Sequence, residues 1–251
     1  MVIIVSMAHI RLRYLQKPLQ QVLKFSPIVG IIGHRQVGKT TVLESEVSRY
    51  VTLDQEKILI EAQTDPAAFL QKMKGLRLGI DEAQMAPKLF PALKERVRTN
   101  KSPGQFLISG SVRFSSRAAI RESLTGRIVN LELLPFSISE LAQNEPTQFL
   151  IQLNKAKDLR QFINASTHQI QGRKKLDQQV DRYLQNGGLP GICFFRSPAL
   201  KNVRISDQLA TILDRDLRLV YPTSVPYIQL YELLSYLSKI EGQIIRYSEI
   251  R

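Results

Sequence analysis

Cysteine is almost absent. Cys193 stands alone in 251 residues, which excludes an intramolecular disulfide and fits a reducing compartment. Its apolar neighbours Ile192, Phe194 and Phe195 point to a buried structural thiol instead of a nucleophile. Histidine is scarce too. His9, His34 and His168 are too scattered to form a metal-ligand set with each other or with the cysteine. Long apolar runs are missing. Residues 1–10 are apolar but far short of a bilayer span, and they lack the leading positive charge and cleavage site of a secretory signal. An extended start or first strand fits them better, so no membrane partner and a cytoplasmic setting are expected. Aromatic residues do not interleave with the basic clusters at 11–13, 94–98, 113–121 and 173–175, as a base-stacking surface would require.

Acidic residues are outnumbered, 22 against 35 basic ones, for a net charge of +13. The excess is shared by both halves of the chain. It is compatible with nucleic acid, with an acidic protein partner, or with solubility alone.

Residues 33–40 read Gly-His-Arg-Gln-Val-Gly-Lys-Thr, a complete G-x-x-x-x-G-K-[ST] phosphate loop. A triphosphate needs a tight turn that aims successive backbone N–H groups at it, which Gly33 and Gly38 permit. It also needs a cation for the β- and γ-oxygens, Lys39, and a hydroxyl for Mg²⁺, Thr40. His34, Arg35, Gln36 and Val37 complete the cradle, and Thr41 follows it. The apolar run Ile28, Val29, Ile31 and Ile32 predicts a buried strand before the loop. Val42, Leu43, Val47 and Tyr50 fall at helical spacing after it. The motif therefore sits at a strand-to-helix turn, where the helix dipole and free N–H groups favour anions.

Further along, residues 11–25 suggest a helix or helix pair around Pro18. Strands are expected at 50–54, 76–80, 104–109 and 128–134, and helices at 65–74 and 87–98. Such alternation indicates a parallel sheet of five strands with helical crossovers. From Ser137 the strand signal fades. Helical segments then dominate, broken sharply at Asn186-Gly187-Gly188-Leu189-Pro190-Gly191 and resuming over 201–219 and 227–240. The chain stops as a new helix begins at Ser248, and a cut inside a C-terminal domain is expected.

The run Leu-Arg-Leu-Gly-Ile ends in Asp81 and Glu82, 42 residues after Lys39. Beside a phosphate loop, the first acid helps hold Mg²⁺ and the second orients or deprotonates water. Ser109 closes the strand Phe106-Leu107-Ile108, where its hydroxyl could read a γ-phosphate. Ser109 followed by Gly110 and Ser111 is read equally well as an ordinary strand-ending turn. Arg113, Arg117, Arg121 and Arg127 follow; Arg127 is the preferred candidate to stabilise transition-state charge, in cis or from a neighbouring subunit.

Taken in order, these stretches resemble the AAA-like ATPases of bacteria and archaea that carry a C-terminal domain of unknown function. The likeness rests on the loop with Arg35 and Thr41, Tyr-Val-Thr-Leu-Asp, Gly-Ile-Asp-Glu-Ala-Gln and Phe-Leu-Ile-Ser-Gly-Ser. Leu-Thr-Gly-Arg-Ile, Leu-Leu-Pro-Phe-Ser-Ile-Ser-Glu-Leu and Asn-Gly-Gly-Leu-Pro complete it. His34 departs from the family's proline, and Ser109 from its more usual threonine.

The resemblance implies a P-loop NTPase of the AAA+/ASCE type, a three-layer α/β/α fold on a five-stranded parallel sheet. It implies an ATPase core over residues 1–141, a helical lid over 142–222 and the start of a winged-helix-like region over 223–251. ATP and Mg²⁺ are the implied cofactors, with Lys39, Glu82, Ser109 and Arg127 in catalysis and Thr40 and Asp81 at the metal. The implied activity is hydrolysis of ATP to ADP and phosphate. The alternative is a nucleotide-gated switch that recognises DNA or a protein with little turnover, and a further alternative is a folded remnant that binds nucleotide without acting. Assembly into a homo-oligomer is left open.

Overall fold

A computed structural model describes residues 11–73, 77–110, 124, 126–145, 153–156, 158–160, 162–163 and 173–240. Among these the sheet has five strands, all paired in parallel, in the order β2-β3-β4-β1-β5. They are β1 (Ile28–Ile32), β2 (Arg49–Thr52), β3 (Leu78–Asp81), β4 (Phe106–Gly110) and β5 (Ile128–Glu132). The three central strands are buried along their whole length, whereas the edge strands β2 and β5 are only partly covered. Continuous apolar runs mark strands buried on both faces, and for that reason the centre of the sheet was readable from sequence.

Alternating side chains of β1 point to opposite faces and enter two separate cores. Ile28 and Ile32 join Leu78, Ile80, Phe106 and Ile108 on one face, beneath α3 (Glu56–Thr64), α4 (Pro66–Lys72) and α5 (Leu89–Thr99), whose Phe69, Phe90 and Leu93 are fully buried. Val29 and Ile31 join Leu107 on the other face, beneath α1 (Gln16–Val22) and α2 (Lys39–Glu46). This is the expected three-layer α/β/α arrangement. Each such side chain contributes about 1.5–3 kcal/mol on burial, so the layers hold the strand ends in fixed register.

Several expectations are corrected. The helix after the loop ends at Glu46. Val47 is extended and Tyr50 lies on β2, paired with Gly79. The β-branched Val47 and the aromatic Tyr50 favour extended chain once a neighbouring strand offers a ladder. Helix α3 is additional; it lacks a side-chain cap and fully buries only Ala62, so its sequence signal is weak. In contrast α4 has the legible start, with the Asp65 carboxylate accepting from Ala68 N at 2.9 Å and proline in the first turn. Cys193 is half-buried, short of the closed environment expected of it.

The chain falls into two compact units, divided between Phe194 and Phe195. In the first unit, α6 (Ile138–Leu141), α7 (Arg173–Asn186) and α8 (Pro190–Cys193) follow the sheet. The turn between α7 and α8 packs on the chain leaving β5: Phe136 N donates to Gly188 O at 2.7 Å. A Cβ at Gly188 would lie 2.1 Å from Phe136 O, so only glycine fits there. In the second unit, α9 (Pro198–Thr211) continues through a π-turn (Ile212–Asp216) into α10 (Leu217–Val220), and α11 (Tyr227–Lys239) follows. Arg218 spans the α10–α11 connection, donating to Thr223 O and Val225 O. The expected extended N-terminus at 1–10, Ser111, Arg113, Arg117, Arg121, and the helix start at Ser248 lie outside the described residues.

Candidate functional site: a phosphate loop joined to a buried carboxylate

The loop leaves β1 at Gly33 and enters α2 at Lys39. A Cβ at Gly33 would lie 2.3 Å from Leu133 O, because β5 continues alongside the loop through Leu133 N donating to Ile32 O at 2.7 Å. Gly38 has φ 95° and caps α2, a left-handed position that glycine adopts without strain. Gln36 is also left-handed, at φ 61°. Val37 is fully buried among the α1 and α2 core residues and anchors the loop, while His34 and Gln36 are exposed, Arg35 is half-buried, and Thr40 and Thr41 are exposed at the start of α2. The Lys39 ammonium is almost buried and donates to Gly33 O at 3.0 Å and His34 O at 2.7 Å.

Asp81, at the end of β3, is the centre of the site and is 4% exposed. Its Oδ2 accepts from Thr40 Oγ1 at 2.6 Å and from Tyr50 OH at 3.1 Å. Its Oδ1 accepts from Ser109 Oγ and from Glu82 N at 3.1 Å. Strand order explains the convergence. Because β4 is inserted between β1 and β3, Ser109 pairs with Ile31 on one side, and on the other it lies one step beyond the Ile80–Ile108 pair, level with Asp81. Ser109 is fully buried with its hydroxyl on Asp81, so it acts on this site by holding the carboxylate. Tyr50 was not identified from sequence as a site residue. Burial, and then the Asp81 charge, push its phenol well above the ordinary range and keep it a donor.

Glu82 takes a left-handed conformation at φ 53°, uncommon for a residue with a Cβ and the kind of strain that collects at functional positions. Its Oε2 accepts from Gln84 Nε2. Burial raises its pKa above the ordinary 4.5, and the neighbouring Asp81 adds to this, while the Gln84 hydrogen bond and Lys39 oppose it.

Arg127 is not brought to this cluster. It immediately precedes Ile128, which pairs with Ile28 at the amino end of β1, whereas the loop follows Ile32 at the carboxyl end. A strand length separates them, about 13 Å at 3.3 Å per residue, so the register removes Arg127 from its own chain's site.

Sequence reasoning also missed a second cluster beneath the loop. Arg13 donates from Nε to Glu140 Oε1 at 3.1 Å, from Nη1 to Val37 O at 2.6 Å, and from Nη2 to Leu134 O at 2.5 Å. Its guanidinium lies 4.3 Å from the centroid of the Phe136 ring. Glu140 accepts from Tyr14 N at 2.8 Å and forms a capping box with Ser137 at the start of α6. The S-x-x-E pattern was a readable signal for that cap, but nothing local announced a partner 127 residues away.

Burial alone would raise the Glu140 pKa. The backbone donors at Ser137 and Tyr14, together with Arg13, outweigh it and hold the carboxyl below its ordinary 4.5. A depressed carboxyl pKa contributes stability that is fully present above the unfolded value and is lost as pH falls through the lower folded value. Thermal unfolding followed below pH 4.5 should therefore show stability declining with acid, and Glu140→Gln should flatten that decline.

A phosphate loop at the carboxyl end of β1, facing a buried Asp at the end of β3 with one strand inserted between them, defines a P-loop nucleoside-triphosphatase fold. Within that class, residues 25–142 match the AAA domain family. Two curated relatives, the uncharacterized proteins Mb2031c of Mycobacterium bovis and Rv2008c of Mycobacterium tuberculosis, are each 34% identical over 129 residues. The match covers 50% of this chain but only 29% of each relative. Among solved structures, AMPPCP-bound DnaA from Aquifex aeolicus is similar at 13% identity and a TM-score of 0.36, over 93% of this chain and 79% of that one. Among the described residues no helix is long and apolar enough to cross a membrane, and no group of three or more His, Cys, Asp or Glu side chains could hold a metal ion.

Proposed function

We propose that this chain is a cytoplasmic Mg²⁺-dependent ATPase that hydrolyses ATP to ADP and phosphate. The observation that carries the reading is the junction at Asp81, where the loop hydroxyl of Thr40 and the buried end of the sheet meet on one carboxylate beside Lys39 and Glu82. The donor set fits Mg²⁺, a hard cation that takes one or two protein oxygens and completes its shell with phosphate oxygens and water. Thr40 and Asp81 are those oxygens. When bound, the metal and its nucleotide supply the reactive γ-phosphoryl group and neutralise part of its charge.

The residues of this chain then divide the work. Gly38 and the first turn of α2 present N–H groups and a positive dipole end to the phosphates. Lys39 exchanges its loop carbonyls for phosphate oxygens. Ser109 and Tyr50 keep Asp81 oriented. Glu82 orients a water and takes its proton at a carboxylate oxygen, as the water oxygen bonds to the γ-phosphorus and the bridging bond to ADP breaks. Arg127 acts, on this reading, only across a subunit boundary in a homo-oligomer. A DNA or acidic protein partner as the output of the cycle is compatible with the net charge of +13.

The test is release of inorganic phosphate from Mg²⁺–ATP by the purified chain. Turnover that disappears with EDTA supports the reading. Absence of phosphate release, with or without nucleotide binding, would overturn it.

A further inference from the structure

We propose that Arg13 is a positioning residue of the phosphate loop, fixing the peptide between Val37 and Gly38 so that the Gly38 N–H is aimed at a phosphate. The inference rests on the ATP-binding reading and goes beyond it, because Arg13 lies outside the loop motif and before the first strand of the sheet.

The argument begins with the peptide plane. Among the described residues there is no cis peptide, and in a trans peptide the C=O and the following N–H point to opposite sides. Arg13 Nη1 holds Val37 O at 2.6 Å, so the Gly38 N–H faces away from the guanidinium. Glycine at φ 95° has little rotational restraint of its own, and this peptide needs an external one. Arg13 supplies it from a rigid base. Nη2 ties the same plane to Leu134 O just after β5, Nε ties it to Glu140, and the Phe136 ring lies against it. A planar fork serves three acceptors in three directions, which an ammonium on a flexible stem does not reproduce.

Stability alone is a poor reason for this arrangement. Arg13 is 7% exposed, as is Glu140, and a buried ion pair is commonly no more stabilising than apolar residues of the same volume. What apolar packing cannot do is orient a carbonyl. The far side of the loop is also closed, since a Cβ at Gly191 would lie 2.6 Å from Gln36 Oε1, but that contact is steric and leaves the Val37 peptide free to rotate.

The experiment measures binding of a fluorescent ATP analogue with Mg²⁺ to the full chain and to the Arg13→Lys and Glu140→Gln variants. Hydrogen exchange of the nucleotide-free proteins is recorded alongside. Arg13→Lys should weaken binding roughly tenfold, about 1.4 kcal/mol, and speed exchange over residues 33–40 while β1, β3 and β4 stay protected. Its KM for ATP should rise, with kcat at saturation changed less than about threefold. Glu140→Gln leaves both carbonyl contacts available and should weaken binding by a smaller factor, near threefold, with faster exchange in the same segment; it carries the test if Arg13→Lys does not fold. Folded variants that bind within twofold of wild type with unchanged loop exchange would overturn the positioning role alone. Failure of the wild-type chain to bind would instead overturn the ATP-binding reading, and this inference with it.

Discussion

Lys39→Ala is expected to remove nucleotide binding at micromolar protein while leaving a folded chain. Lys39 is 6% exposed and holds two loop carbonyls, Gly33 O and His34 O, so its charge is already desolvated and aimed before any phosphate arrives. Truncating one partner of a desolvated charged contact costs about 2–5 kcal/mol, which is roughly 30- to 5,000-fold in Kd. The β- and γ-oxygens would then lie in a low-dielectric cradle without the cation that compensates them. The fold should survive, because α2 is anchored by Val42 and Leu43 and the loop by Val37, none of which depends on the ammonium. Titration of the fluorescent analogue beside a thermal melt checks both halves. Wild-type affinity in the variant would mean that phosphates are not read by this loop.

Most of the site that this prediction concerns was legible in the sequence, because its members are local. The loop is eight consecutive residues, Asp81 closes its strand, and Ser109 directly follows the apolar run Phe106-Leu107-Ile108. Strand order was not in those runs. Only the placement of β4 between β1 and β3 shows why Ser109 meets Asp81 instead of facing solvent, and only the register of β5 shows that Arg127 lies at the wrong end of the sheet. Tyr50 fell both in the helical spacing of Val42, Leu43 and Val47 and at the head of the strand expected at 50–54, and only the strand is real. On β2 its hydroxyl reaches the carboxylate. Arg13 and Glu140 were illegible for a different reason. Each reads as a common surface residue, and their meaning lies in a contact across 127 positions that no periodicity encodes.

Glu82→Gln should separate binding from chemistry. The amide keeps the size and much of the hydrogen bonding of the side chain, so Mg²⁺–ATP should bind within a few-fold of wild type. It cannot accept the water proton, and loss of a general base lowers turnover by about 10²–10⁴-fold. ATP should then accumulate on the protein, measurable as unhydrolysed nucleotide retained after gel filtration.

The pH profile adds a second, independent readout. The active form of Glu82 is the carboxylate, and burial raises its pKa above 4.5, so kcat should climb with pH through a midpoint above the ordinary glutamate value. Gln84 stabilises the charged form through its hydrogen bond to Oε2. Gln84→Ala should therefore move that midpoint to still higher pH, losing activity on the acid side and recovering it as pH rises. A structural defect at Gln84 would lower kcat at every pH alike, whereas displacement of the acid limb identifies Glu82 as the group whose ionisation is being observed.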